Sequence, residues 1–140
     1  MASKEVLKVD VHHYKLSSVS DETFEKWFHE ELTPKWIILV KKHNVLRYTA
    51  TYTPPRFRNE LGPQLDMVRP GWKISGSDVT LTYYVRDIDD LRALLGDPEY
   101  QKRGRESEEG FIDSTKGELH VGWETVYFED GEIKNTVAEE

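Results

Sequence analysis

Five histidines are the side chains of this 140-residue sequence whose chemistry stands out first. An imidazole titrates near neutral pH, so it can accept or donate a proton during catalysis. His12 and His13 are adjacent in the segment EVLKVDVHHYK, which alternates apolar and polar residues as a half-buried strand does. Consecutive strand residues point to opposite faces, so these two histidines cannot bind one metal ion together. The pattern favours acid/base chemistry.

His13 is the first candidate for a general acid. It shares a strand face with Leu7, Val9 and Val11, and this apolar face should look toward the helices. His120 is the second candidate, on the polar side of its own strand, where it would instead serve the interior of a dimer. The alternative for His13 is a structural role, as a hydrogen-bonded histidine in the core or at a strand end.

Aromatic side chains with polar tips are the second feature, since the chain has four Trp and seven Tyr. A phenol can donate a hydrogen bond to an enolate, an indole can stack on fused rings, and a guanidinium can hold a carboxylate. The candidates are Tyr48 as a catalytic donor, and Arg47, Trp36, Trp72, Tyr83, Tyr84 and His12 as substrate-binding residues. Core packing is the alternative for each Trp. Trp72 is favoured as a ligand contact because it lies in a long insert.

The composition excludes several classes of function. Cysteine is absent, which excludes disulfides, a thiol nucleophile and cysteine-based metal sites. The net charge of -7 argues against a nucleic-acid partner. The start of the chain lacks the apolar core of a signal peptide, and no run approaches the ~18 apolar residues of a membrane span. We therefore expect a single cytoplasmic domain over residues 1–140, with no metal, no organic cofactor and no membrane partner.

The first half of the chain predicts two strands around a long helix. The first strand covers residues 5–15, and Ser20 is a good N-cap for the helix that follows. Pro34 should kink or restart this helix because proline has no amide hydrogen. Asn44 is a plausible end of the helix, and HNVLRYTATYT, residues 43–53, predicts the second strand.

The second half predicts a long insert, two strands and a helix. Residues 54–77 are rich in proline and too long for a hairpin connection, which is typical of a functional lid or a mobile loop. Residues 78–86 predict the third strand, and DIDDLRALLG predicts a helix that ends at Gly96. Residues 117–131 predict the fourth strand. The polar tail 131–140 is expected to be frayed.

The order of elements predicts an α+β fold of the ferredoxin-like β-α-β-β-α-β type, a four-stranded antiparallel sheet with helices on one face. Both faces of the strands carry bulky side chains. In the third strand, Leu81 and Tyr83 point to one side, and Thr82 and Tyr84 to the other. A dimer that packs sheet on sheet would cover the second face. We therefore expect a homodimer.

A stretch near the end, DPEYQKRGRESEEGFID, resembles the EthD-like branch of the dimeric α+β barrels, as do the segments ETFEKWFHEELTPKW and HNVLRYTATYT. The matching positions in the first stretch are Asp97, Pro98, Tyr100, Glu109, Phe111 and Asp113. The resemblance covers about residues 7–128 and implies a monomer pocket between sheet and helices, into which His13 should project. Many EthD-like proteins have a His just before the helix proline. Leu32 and Thr33 precede Pro34 here, so any role of that His cannot be transferred.

Within that branch, the length and the proline-rich insert resemble small fungal decarboxylases of anthraquinone and xanthone polyketide clusters. The resemblance implies a cofactor-independent decarboxylase, a carbon–carbon lyase, whose substrate is an aromatic polyketide acid such as atrochrysone carboxylic acid. Such an enzyme needs donors for an enolate and an acid that protonates carbon. Three alternatives stay open: a polyketide cyclase or dehydratase, a cofactor-free anthrone oxygenase, and a non-catalytic dimer that binds aromatic ligands.

Overall fold

A four-stranded antiparallel sheet in the order β2-β3-β1-β4 forms the centre of the computed structural model, which describes residues 6–139. The strands are β1 (Leu7–His13), β2 (Arg47–Tyr52), β3 (Val79–Val85) and β4 (Glu118–Trp123). In the register, Val11 of β1 lies opposite Leu81 of β3 and Leu119 of β4. The predicted ferredoxin-like α+β architecture, with helices on one face, is confirmed. Residue 5 of the predicted first strand and residue 140 of the predicted tail lie outside the described residues.

The helical layer contains both regular and irregular turns. Its elements are α1 (Asp21–Trp27), a first π-helical turn (Phe28–Leu32), α2 (Thr33–Lys42), α3 (Pro55–Val68), α4 (Ile88–Leu95), a second π-helical turn (Gln101–Arg105) and a 3-10 turn (Glu106–Glu108). The Ser20 hydroxyl accepts the backbone N–H of Thr23 at 3.1 Å, which confirms it as the N-cap. Asn44 ends α2 with a φ of 58°. Across residues 6–139, no helix is both long and apolar enough to cross a membrane.

The kink or restart predicted at Pro34 corresponds to the first π-helical turn, which ends at Leu32, two residues before the proline. Thr33 donates its hydroxyl proton to the carbonyl of Phe28 at 2.6 Å, five residues back. The same carbonyl also accepts the backbone N–H of Thr33, which is the i→i+5 hydrogen bond of a π-helical turn. The backbone stays helical through the turn, and only the spacing of the hydrogen bonds changes.

The insert 54–77 contains a fourteen-residue helix, α3, that its proline-rich composition did not reveal. Pro54 and Pro55 stand at the N-cap and first helical position, where a missing N–H costs no hydrogen bond. Proline at these two positions therefore starts the helix. The predicted role of the insert as a lid stays a prediction.

The predicted fourth strand is too long, because β4 ends at Trp123. Residues 128–133 form a separate hairpin of β5 (Phe128–Glu129) and β6 (Glu132–Ile133). Asp130 and Gly131 in its turn have φ values of 53° and 79°, the left-handed conformation that two-residue hairpin turns require. Part of the tail expected to be frayed is thus a hairpin, and the Asp-Gly pair was its sequence signal.

The hydrophobic core lies between the sheet and the helices. Phe24, Phe28, Leu39 and Leu94 from the helices are buried almost completely, as is Val9 from the sheet. Burying one such side chain stabilises the fold by roughly 1.5–3 kcal/mol. The alternate residues of β3 complete this face of the core, as the strand pattern predicts.

A buried carboxylate joins the end of α2 to the turn after α4. The side chain of Asp97 is 1% exposed, and its Oδ2 accepts from Lys42 Nζ at 2.8 Å and His43 Nε2 at 2.6 Å. Its Oδ1 accepts the backbone N–H of Glu99 at 2.8 Å. Hydrogen bonds from Lys42 and from this N–H hold the pKa of Asp97 well below its usual range. The position singled out by family resemblance therefore has a structural function.

We expect Asp97→Asn to lower the urea midpoint of unfolding at pH 7. A carboxyl whose folded pKa is lowered stabilises the fold above its unfolded pKa of about 4, and this contribution is lost as the pH falls further. The deficit of the variant should therefore shrink at acidic pH. Asp89→Asn, which removes an exposed pair with Arg92, is the control and should change little. Equal midpoints for all three proteins would contradict the structural role of Asp97.

Candidate functional site

A cavity of about 140 Å³ lies between the helix-side face of the sheet and the helical layer. A water molecule needs roughly 10–15 Å³ of such space, so the cavity has room for about ten waters and is smaller than the roughly 300–1,000 Å³ of typical ligand sites. Half of the residues that line it are aliphatic: Val11, Leu32, Leu81, Leu91, Leu94, Leu95 and Leu119. Polar tips come from Trp36, Tyr48, Tyr83 and Tyr100, and the titratable groups are His13 and Glu108.

His13 lies at the end of β1 with its side chain at this cavity, on the face that the strand pattern predicts. Burial, with a smaller contribution from the neighbouring His12, lowers the pKa of His13 to about 4. Its imidazole is therefore neutral at pH 7 and accepts a proton more readily than it donates one. The role predicted for His13, a general acid, stays a prediction, and the neutral imidazole is also free to act as a base.

The predicted Tyr48, Tyr83 and Trp36 are brought together beside His13. Burial raises the pKa of Tyr48 and of Tyr83, so both phenols keep their protons and act as hydrogen-bond donors. Trp36 Nε1 donates to the hydroxyl of Tyr83 at 2.9 Å. The ring of Tyr48 lies 4.8 Å from that of Tyr83, centre to centre. Tyr48 lines the cavity as a neutral phenol, and its predicted role as a catalytic donor stays a prediction.

Glu108, in the 3-10 turn, is a cavity residue that the sequence interpretation missed. Burial raises its pKa, although the nearby Arg105 acts in the opposite direction. Its segment, RESEEG, resembles an ordinary solvated run of charges, and its neighbours Glu106 and Glu109 are exposed. Nothing in the local sequence distinguishes Glu108 from its exposed neighbours, because its partial burial arises from tertiary packing.

Four predicted residues lie on the opposite face of the sheet and away from the cavity: His12, Arg47, Tyr84 and His120. There, His12 Nδ1 lies 2.8 Å from the hydroxyl of Thr80. His120 Nδ1 lies 3.8 Å from a carboxylate oxygen of Asp10. The guanidinium of Arg47 stacks over the ring of Tyr84 at 5.6 Å. Consequently no lysine or arginine is among the described residues that line the cavity.

Trp72 lies apart from both groups. Its side chain is 63% exposed and contacts the guanidinium of Arg69, which stands 4.9 Å from the centre of the indole ring. Trp72, predicted as a substrate contact, thus does not line the cavity. Among residues 6–139, no group of three or more His, Asp or Glu side chains is arranged to hold a metal ion.

Comparisons with known proteins agree with this architecture. Residues 16–115 match the family model described as the EthD domain. The dehydratase iacD of Pestalotiopsis fici is 35% identical over 135 residues, which are 96% of this chain and 97% of that protein. A protein of Aspergillus terreus named as an oxygenase is 27% identical over 138 residues, 98% of this chain and 85% of that protein. A dimeric protein of unknown function from Bacteroides fragilis, with a ferredoxin-like fold, superposes with a TM-score of 0.56 at 12% identity, covering 86% of this chain and 97% of that chain.

We expect the imidazole of His13 to titrate near pH 4 in NMR spectra of the folded protein. Because histidine has a pKa near 6.5 in an unfolded chain, the fold should lose stability between about pH 6.5 and pH 4 and change little below. One pKa unit corresponds to about 1.4 kcal/mol, so the loss approaches roughly 3 kcal/mol. His13→Phe should abolish this dependence, and His29→Gln, at an exposed position, should keep it. Titration of His13 near pH 6.5 would contradict the burial argument.

We expect Gly104→Ala to deform the cavity wall. A Cβ at this position would lie 3.1 Å from a ring carbon of Trp36, so the added methyl must displace the indole. Overpacking of this kind costs about 1–3 kcal/mol of unfolding free energy, measurable by urea denaturation. Gly62→Ala in α3 is the matched control, since its Cβ meets no atom within 4 Å. That variant should be as stable as the wild type or slightly more so.

Proposed function

The chain belongs to the EthD domain family, and from this premise we propose that it is a cofactor-independent enzyme that removes water from a β-hydroxy ketone of an aromatic polyketide. The observation that carries the proposal is the neutral His13 in an apolar cavity lined by phenols and by no cation. Dehydration of this kind begins with removal of a proton next to a carbonyl, a step that needs an unprotonated base and a hydrogen-bond donor for the carbonyl oxygen as it gains negative charge.

His13 and Tyr48 divide the first step between them in this proposal. The imidazole of His13 takes the proton from the carbon next to the carbonyl. The hydroxyl of Tyr48 donates a hydrogen bond to the carbonyl oxygen, which gains negative charge as the enolate forms. A preorganised donor in a water-poor cavity stabilises that charge more strongly than solvent does. The electron pair then expels the β-hydroxyl group and forms the carbon–carbon double bond.

An aromatic polyketide is proposed as the substrate class because of the cavity walls. Trp36, Tyr83 and Tyr100 present ring surfaces with polar tips, which suit a planar hydroxylated ring system. The resemblance of the sequence to enzymes of polyketide clusters supports the same class. The relative from Pestalotiopsis fici is named a dehydratase, which supports dehydration as the reaction.

Decarboxylation of the corresponding acid, the reaction that the sequence predicts, is the second candidate. The apolar lining favours it, because a carboxylate transferred there loses hydration and regains stability when carbon dioxide leaves. The placement of Arg47 on the other face of the sheet weighs against decarboxylation, since the arginine predicted to bind the substrate carboxylate does not line the cavity. Decarboxylation therefore ranks below dehydration.

We also propose that two copies pack through the second face of the sheet. This face carries Tyr84, Arg47 and His120, and bulky groups of this kind on an uncovered sheet favour a sheet-on-sheet dimer. Organisation as one domain and a cytoplasmic location stay predictions from the sequence.

The test uses atrochrysone carboxylic acid, which carries both a β-keto acid and a β-hydroxy ketone and can lose either carbon dioxide or water. We expect the wild-type enzyme to accelerate the loss of water above the spontaneous rate, measured by mass spectrometry of the products. Release of carbon dioxide without faster loss of water would favour the decarboxylase. Oxygen uptake in proportion to product would favour an oxygenase.

His13→Gln should reduce the rate of dehydration by about 10²-fold or more, the usual contribution of a general base. His29→Gln, at an exposed position outside the cavity lining, should retain the wild-type rate. Circular dichroism and melting curves verify that both variants fold. Wild-type turnover in a folded His13→Gln variant would remove His13 from the mechanism.

A further inference from the structure

Two titratable groups line the cavity from opposite layers of the fold. His13 comes from the end of β1 in the sheet, and Glu108 comes from the 3-10 turn in the helical layer. A ligand that enters the space between sheet and helices therefore lies between an imidazole and a carboxyl group. Proton removal at one carbon and proton delivery at the next require two groups placed in this way.

The backbone around Glu108 is held firmly enough to position its side chain. Its carbonyl accepts the backbone N–H groups of Phe111 and Ile112, each at 3.1 Å. Ile112 is itself buried and pairs with Lys15 in an isolated antiparallel bridge beyond β1. On the other side, Gly104 in the second π-helical turn packs against Trp36, so the turn that precedes Glu108 rests on a cavity wall. The backbone that carries the Glu108 side chain is thus held on both sides of this residue.

The surroundings of Glu108 favour its protonated form. Burial raises the pKa of its carboxyl group, and the partial compensation by Arg105 does not cancel this effect. The same burial lowers the pKa of His13, so the neutral forms of both groups are favoured in the same cavity. Burial thus shifts both groups toward the forms from which paired proton transfer starts, a neutral base and a protonated acid.

Resting on the proposed function, we propose that Glu108 is a second catalytic residue, the general acid that protonates the departing hydroxyl group. His13 forms a bond to the α-proton, and the C–H electron pair moves into the enolate, whose oxygen accepts a hydrogen bond from Tyr48. As the enolate returns to a ketone, this electron pair forms the new carbon–carbon double bond. The β-carbon–oxygen bond breaks with its pair on oxygen, which takes the proton of Glu108 and leaves as water. The imidazolium of His13 then returns its proton to the Glu108 carboxylate through this water, and both groups are restored.

The pH profile of the reaction tests this assignment. Turnover requires neutral His13 and protonated Glu108, so the rate should fall at acid pH when His13 is protonated and at alkaline pH when Glu108 ionises. Glu108→Gln keeps the size of the side chain but has no transferable proton. We expect it to lose about 10²-fold in kcat with little change in KM, and to lose the alkaline limb. Glu108→Asp should retain the limb at a reduced rate.

Two further variants sharpen the test. Arg105→Gln removes the positive charge that opposes the raised pKa of Glu108, so the alkaline limb should move to higher pH. Glu109→Gln, at the adjacent exposed position, is the matched control and should leave rate and profile unchanged. Wild-type kcat and an intact alkaline limb in Glu108→Gln would overturn the assignment.

A substrate analogue without the β-hydroxyl group separates this inference from the proposed function. The exchange of its α-protons with deuterium, followed by NMR, needs the base but no acid for a leaving group. Glu108→Gln should therefore exchange at the wild-type rate, and His13→Gln should not. Loss of exchange in Glu108→Gln would reduce Glu108 to a structural role. Absence of exchange with the wild-type enzyme would refute the proposed function itself.

Discussion

Helices cover one face of the four-stranded sheet, and the other properties of the molecule depend on this asymmetry. Side chains alternate between faces along every strand, so each strand supplies one set of residues to the core and cavity and another to the open face. His12 and His13 are neighbours in sequence yet belong to different environments, one bonded to Thr80 and the other facing the cavity. The same rule separates Tyr83 from Tyr84.

Burial in an apolar layer also sets the chemistry of the cavity. The free energy that makes the core favourable penalises charge, and it acts in opposite directions on bases and acids. It lowers the pKa of His13 and raises the pKa of Glu108. A cavity built chiefly from leucine and tyrosine therefore shifts His13 toward a neutral base and Glu108 toward a protonated acid. This electrostatic character, more than any motif, argues for proton transfer as the reaction class.

Departures from regular helix border the cavity on two sides. The first π-helical turn includes Leu32, and the second includes Gly104, both of which line it. Such turns shift the direction of the side chains that follow, which here include Trp36 after one and Glu108 after the other. The close approach of Gly104 to Trp36 joins the two segments, so the irregular turns form one wall.

The sequence by itself determined the four strands of the main sheet and their faces, the N-cap at Ser20, the helix end at Asn44 and the apolar face that carries His13, because alternation and helix-end signals are local properties. It also predicted Tyr48, Tyr83 and Trp36 as site residues, and they do meet at the cavity. Only the tertiary structure decided that Trp72 lies apart from the cavity and that Glu108 joins the site. Burial depends on contacts between elements distant in the chain, and one glutamate among exposed neighbours acquires its altered pKa only when such contacts form.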